Sequence, residues 1–520
     1  MDAQRELETE EALTRYRKCL ALEPECVDCL YEAGWSYWQK GEWEEVVKSW
    51  EAALRLDPKH PEIKQYLPTA KENSALVRAN KIPNAFHNKI ALGDESKPKD
   101  GPVTIVFVSR QQSYNSKPVH PLDHYDPEIH SPKSVHFSQD GKKVYVNSLE
   151  SGTTLVYDPL GLKRIGSIVH KFTSRTRIPL DPEPNFDYRW DSKIKSPNVF
   201  TGKPVELALT HGGRYLWAPY YRRSYDTNGS MPSAIAIIDT RNDRIVRVMA
   251  TGPISKYVKP SPDGKWLAIS HWGDNTVGLI DISRKDPAQF KSGPLLTVGE
   301  RMSAKAMIGD RDRNCGLCVR GLVFSKDSRY LFVSRMRDGG VSVFDLAGKS
   351  GPLLMGTVFG MVSGPRDLEI TNLDQSLMMS CNSSGYIGKA DSRSIIERLG
   401  KSPGASIQAD DAGINVKKVF VGLGARSIRL SPDEKHLFVS VNQTGELVAI
   451  DVDAMKIEAR ITVDSFPVGL DISPDGSQLW VTSQGRDAKG GNSVGIFQVR
   501  YRGEEAILKR TGSANAAAGE

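Results

Sequence analysis

At 520 residues the chain is long enough for two or more domains with buried cores, and 39% apolar against 25% charged residues is the balance of a globular protein. A formal net charge of +6 over that length argues against a nucleic-acid partner, and no RNA-binding or helix-turn-helix signature is present. No apolar run reaches the roughly 18 residues that a membrane-spanning helix needs.

From the first residue to about residue 80, apolar residues recur at helical spacing. Leu30, Ala33, Gly34 and Tyr37 fall on one predicted helix, Val46, Trp50 and Ala53 on the next, and Pro58 closes the pair. Ala12, Tyr16, Cys19 and Pro24 stand one repeat length earlier in matching places, a period of about 34 residues. Small residues sit where two helices of a hairpin cross, and the aromatic rings fill the wider gaps. The pattern resembles the tetratricopeptide repeat: half a repeat, one full repeat, and a capping helix over 60–74 in which Pro68 replaces a small residue. The resemblance implies a stacked helical module, residues 1–80, that docks a protein or peptide partner. Such arrays need about three units to stand alone, so this module should lean on the rest of the chain or on repeats upstream. The N-terminal residues carry no signal peptide, and a signal or lipid anchor removed upstream is compatible with them.

After a linker over 81–102, the sequence repeats a phrase. SPDGKWLAIS begins at Ser261, and FSQDGKKVYVNS, FSKDSRYLFVS, LSPDEKHLFVS and ISPDGSQLWVTS echo it. Each copy predicts a strand, a tight turn and a second strand, because Asp bonds its own backbone and Gly accepts positive φ. Units beginning near Lys133, Val205, Lys256, Arg320, Arg366, Arg426 and Val468 each continue into two further strands. Four strands per unit and seven units predict an all-β seven-bladed β-propeller over 103–510, followed by a disordered tail at 511–520. The early strand 103–109 is expected to pair with the last blade and so remove the exposed sheet edges. This region resembles the YVTN-type propellers of bacteria. That resemblance implies an extracytoplasmic location, periplasmic or cell-surface, and leaves function open among surface-layer, binding and lactonase-like members.

The turn serves as a ruler. Five residues before it, where the innermost strand enters the channel, stand Lys133, Val205, Lys256, Arg320, Arg366, Arg426 and Val468, five of them cationic. Unpaired like charges are costly to bury, so this mouth should hold an anion or stay wet unless acidic neighbours such as Asp367 or Glu369 pair with the cations. The long segments 110–131, 170–203, 299–318 and 400–416 are all read as connections from an outer strand to the next inner strand, on the mouth side. His271, Trp272, Tyr220, Arg222, Arg223, Arg335, Arg337 and Arg486 are expected on that same rim. Arg suits carboxylate or phosphate through its planar fork, and the aromatics suit a glycan or peptide.

Cys315 and Cys318 are expected to form a local disulfide, with a second among Cys19, Cys26 and Cys29; Cys381 reads as a buried thiol. Cys19 also fits a plain packing site. A zinc site shared by the two C-x-x-C pairs would need the modules to dock, and a thioredoxin-like role for Cys26 and Cys29 lacks its βαβ context. His120, His124 and His130 are weak metal candidates, since the prolines among them exclude a helical i, i+4 arrangement. His136, inside an inner strand, reads as structural. No cofactor is expected. A hydrolase would need acids at the channel, where only Glu206 and Asp367 are available. The expectation is therefore an exported binding scaffold that presents a basic face to an anionic small molecule, a glycan or an acidic protein. A lactonase-like hydrolase and a metal- or thiol-linked binding protein are the alternatives.

Overall fold

The computed structural model describes residues 2–40, 42–78, 90–181, 186, 188, 194–302, 309–348, 351–372, 375–485 and 491–502. Arg486, the tail at 511–520 and residues 81–89 of the linker lie outside the described residues.

Four helices open the chain: α1 (Asp2–Leu22), α2 (Val27–Lys40), α3 (Trp43–Leu56) and α4 (Pro61–Arg78). Leu30, Ala33, Val46, Trp50, Ala53, Ile63 and Ala70 form their shared core. Gly34 lets α2 approach α3, since a Cβ there would run into the Trp50 indole. The capping helix extends past 74 and carries Pro68 in its interior. Leu423 and Phe420 of the propeller join this core, so the short array does lean on its neighbour.

The remaining chain forms seven antiparallel-based sheets. Their innermost strands are Pro132–Phe137, Ala208–Thr210, Ser255–Pro260, Val319–Phe324, Pro365–Ile370, Ala425–Leu430 and Pro467–Ile472. The early strand, Val103–Gln112, pairs antiparallel with Ser493–Tyr501 and closes the seventh blade from outside, as its sequence position predicts. The recurring turn is held by one device. The leading hydroxyl bonds the Asp two residues on (Ser261 to Asp263, 2.6 Å) and accepts the backbone N–H five residues on (Trp266 to Ser261, 2.9 Å). The same pair of bonds recurs at Ser325 and Ser473.

Two expectations are corrected. The segment 400–416 does not join an outer strand to the next inner one. It follows the third strand of the fifth blade (Tyr386–Asp391) through a helix, α5 (Ser392–Gly400), and precedes that blade's outer strand (Val416–Phe420). It therefore emerges on the face of the SPDG-type turns, away from the mouth. Asp391 caps α5 by accepting the Arg393 N–H, and Ala405–Gln408 then adds in parallel to the outer strand of the fourth blade. In the second blade the inner strand is broken. Phe200–Pro204 and Ala208–Thr210 both pair with Tyr215–Arg223, and Val205 sits in the irregular step between them.

Candidate binding face at the channel mouth

The register places each of the five cations, and Val468, second on its inner strand, whereas Val205 sits in the break of the second blade; neighbouring blades fix several of these positions through the backbone. Thr482 donates to the Lys133 carbonyl (3.0 Å), Ser334 to that of Arg366 (3.3 Å), Ser380 to that of Arg426 (2.5 Å) and Ser427 to that of Val468 (2.8 Å). Gly321 and Gly469 permit the close approach; a Cβ on Gly321 would lie 2.5 Å from the Arg366 carbonyl oxygen. Lys133, Arg366 and Arg426 are thus mounted on cross-bolted strands.

The five cations converge. The Lys133 ammonium is driven well below the ordinary lysine range by burial, and Arg426, Lys256, Arg366 and Arg320 push it the same way. Burial, then Arg320 and Arg426, likewise depress Arg366. Arg320 and Lys256 each have a carboxylate. Arg320 pairs with Glu206 at 2.9 Å, and Lys256 with Asp312 at 2.6 Å. Burial opposes ionisation of Asp312, yet Lys256, Tyr221 and Lys133 outweigh it and hold this acid at about 2. Lys256 also lies over the Tyr221 ring (4.4 Å) and near Trp272 (5.0 Å). Among the described residues, no carboxylate lies in ion-pair range of Lys133 or Arg366. Arg366 reaches only the Met336 sulfur, at 3.6 Å, and its Nε has no partner.

The acids expected to neutralise the ring serve elsewhere. Asp367 accepts the backbone N–H groups of Leu368 and Ile428, each at 3.1 Å. Glu369 pairs with Lys259 (2.9 Å) and Arg429 (3.3 Å), three residues further along the strands. There Arg429 also meets Asp471 (3.2 Å), and Asp471 accepts from the Phe137 N–H and lies 2.8 Å from His136 Nδ1, giving His136 its structural place. With Glu206 held by Arg320, both acids proposed for a hydrolase are already engaged.

The rim divides. Trp272 and Arg337 stand on the mouth side, Trp272 donating to the Asp312 carbonyl (3.0 Å) and Arg337 exposed. Arg222 stacks over Tyr221 and bonds the Thr227 carbonyl. Arg335 is committed to Asp338 and Thr357. Tyr220, His271 and Arg223 do not belong to the rim; Tyr220 is a buried core residue whose hydroxyl lies 3.0 Å from His170 Nδ1. His271 is 0% exposed, receives the Gly252 N–H and contacts Thr276; burial lowers it to about 3, leaving a neutral core imidazole. Arg223 is 1% exposed and bonds the carbonyls of Ser233 and Pro197 over the Phe200 ring. Both strands run further than the turn signals indicate, which carries these side chains into the sheet.

A cleft of about 730 Å³ opens between the helical module and this face. Trp38, Tyr66 and Thr69 line it from the helices, and Trp272, Met336, Arg337 and Lys418 from the propeller. Sequence reasoning missed the cleft and Asp312. Asp312 lies in the charged run DRDRN of an expected mouth loop, a usable signal, whereas the helical wall depends on docking that no local pattern encodes.

In the histidine loop His120 accepts the Leu122 N–H, and among the described residues His120, His124 and His130 join no cluster of three or more ligand atoms. Asp123 and Asp126 between them are taken by Arg110 and by Tyr157 with Arg164. Disulfides join Cys19 to Cys29 and Cys315 to Cys318; Cys381 is a buried thiol and Cys26 a half-buried one. Cys19 thus clamps α1 to α2 rather than simply packing, and the pairing within each module removes the shared zinc site.

Comparison with known proteins agrees with the helical reading. Residues 27–60 match the tetratricopeptide repeat. Among solved structures the chain is similar to the hydrazine synthase of Kuenenia stuttgartiensis, with 14% identity and a TM-score of 0.46 over 70% of this chain and 95% of that one. It is also similar to the Cps50 (Swd1) β-propeller domain of Myceliophteria thermophila, with 13% identity and a TM-score of 0.47 over 71% and 97%. No curated protein matches the chain in sequence. A seven-bladed propeller with a small tetratricopeptide-like segment fits a protein-interaction scaffold.

Proposed function

We propose that the protein is an exported binding scaffold whose channel mouth captures carboxylate groups of an acidic protein partner. The observation that carries this reading is the ring itself: five cations fixed at equivalent strand positions, with Lys133 and Arg366 lacking any carboxylate partner among the described residues. Holding like charges together this way costs stability, and an arriving carboxylate supplies the missing counter-charge. Export is supported by the two disulfides, which persist in oxidising compartments. Fluorescence anisotropy with labelled hexaglutamate at stepped salt concentrations tests the ring. The affinity should fall with salt and drop at least tenfold in Lys133→Ala/Arg366→Ala. An unchanged affinity in that variant would overturn the reading. For location, thiols alkylated under denaturing conditions after acid quenching of intact cells should map to Cys26 and Cys381 alone; reduced Cys315 and Cys318 would argue for a reducing compartment.

A further inference from the structure

The cleft borders the ring through two shared neighbours. Trp272 lines the cleft while its ring lies 5.0 Å from Lys256 Nζ, and Met336 lines it while its sulfur lies 3.6 Å from Arg366 Nη1. A molecule seated between the modules therefore lies one side chain away from Lys256 and Arg366. The helical wall contributes half-buried aromatic surface: Trp38 sits 4.8 Å from Trp43 and 6.3 Å from Tyr66, in an edge-on cluster that holds both rings in place. On the propeller side, Gly339 (φ 79°), Gly360 (φ 76°) and Gly364 (φ 66°) line the cleft in a conformation glycine favours, presenting backbone without side chains. Ser363 and Ser383 add hydroxyls, and Arg337 and Lys418 extend the positive charge outward.

From this we infer that the two modules bind one ligand together: a peptide segment of a partner protein in which acidic residues flank a bulky apolar side chain. The apolar group fills the aromatic cleft and the flanking carboxylates reach Arg366, Lys133 and the rim. The inference rests on the anion-binding reading of the ring and adds a second contact, on the helices, that the ring alone does not require. A peptide is favoured because the cleft offers backbone, hydroxyl, aromatic and cationic groups side by side. Its helical wall also comes from a repeat type whose stacked surfaces receive peptides. The volume suits a few side chains rather than a folded surface.

The test uses the full chain on an immobilised array of hexapeptides, each with four glutamates around a central pair varied over all apolar and aromatic residues, with a Gly-Gly centre as control. At least one apolar-centred peptide should bind tenfold or more tightly than the control. Thr69→Trp, which fills the cleft from α4, should erase that preference and leave the weak, salt-sensitive binding of the control. Trp272→Ala, on the opposite wall, should weaken the preferred peptide at least fivefold, and thermal melts show whether either variant folds. No preference for an apolar centre, or a preference that survives both changes, overturns the shared site while leaving the ring reading intact. Binding that ignores Lys133→Ala/Arg366→Ala removes the ring reading instead. An array with no bound peptide overturns both.

Discussion

Two rings of side chains line the same channel three residues apart and settle their charges in opposite ways. In the deeper ring, Lys259, Glu369, Arg429 and Asp471 alternate in sign and contact one another, and His136 Nδ1 lies 2.8 Å from Asp471. In the mouth ring, five cations stand at equivalent places; Glu206 pairs with Arg320, and Asp312, carried on a loop, pairs with Lys256. The strands, register and burial are nearly the same, so the difference lies in residue choice alone. Closely set opposite charges hold the blades together, whereas closely set like charges repel and await a counter-ion. A protein that needed only closure could have used the first solution twice.

The largest effect should come from breaking the deeper ring. Asp471→Ala takes one of the carboxylates from around Arg429, leaving Glu369, and removes the acceptor of the Phe137 N–H, and should cost about 2–3 kcal/mol in urea unfolding. A loss under about 1 kcal/mol would show that the deeper ring is not the structural one. At the mouth, Lys133→Met and Arg366→Met should leave stability within about 1 kcal/mol of the parent, or raise it, because each removes a charge without stranding a carboxylate. The same substitutions should weaken the binding of an acidic peptide tenfold, roughly 1.4 kcal/mol.

A pH series sharpens the contrast further. Lys133 titrates well below an ordinary lysine when folded, through burial and its cationic neighbours. Between that lowered value and the unfolded value near 10.4, the unfolded chain holds the proton and the folded chain does not, so this group makes stability rise with pH. The advantage of Lys133→Met over the parent should therefore be greatest near neutrality and shrink as the pH approaches about 10; an advantage that grows instead would contradict the charge crowding. The smallest effect is the control. Arg329 pairs with Asp345 at 2.8 Å in an exposed position at the SPDG-type turns, and Arg329→Ala should change stability by only about 0–1 kcal/mol.

Much of this was legible in the chain because the repeat supplies a ruler. The hydroxyl-Asp turn fixes where each inner strand ends, and counting back five residues finds Lys133 or Arg366 without knowing the fold in detail. The same count could not tell which acid meets which base. Asp367 and Glu369 differ by one step of the strand alternation from the residues they might neutralise, and backbone N–H groups and Arg429 claim them first. His271 and Arg223 misled for a related reason: polar residues near a strand end look exposed, and only the partner strands show that the sheet reaches as far as these residues. The segment 400–416 misled because Ser392–Gly400 is a helix inserted within a blade, where repetition alone expects a loop between blades. Docking of the helices onto the mouth depends on Leu423 and Phe420, whose apolar character fits a propeller core equally well.

The strand Val103–Gln112 has a consequence in time rather than in space. Its partner, Ser493–Tyr501, is the last described strand of the propeller, so every other blade is synthesised while this strand waits as an unpaired edge. Contacts so distant in sequence form slowly, because the loop they close must lose its freedom before any pairing offsets that loss. Closure of the seventh blade should then be the final and slowest step of assembly. A permuted chain that carries 103–112 directly after residue 502 should refold faster than the parent in stopped-flow fluorescence, and equal rates would place the slow step elsewhere. The joint that completes the circle would thus also set when the mouth ring, which needs Lys133 and Val468 on adjacent blades, comes into being.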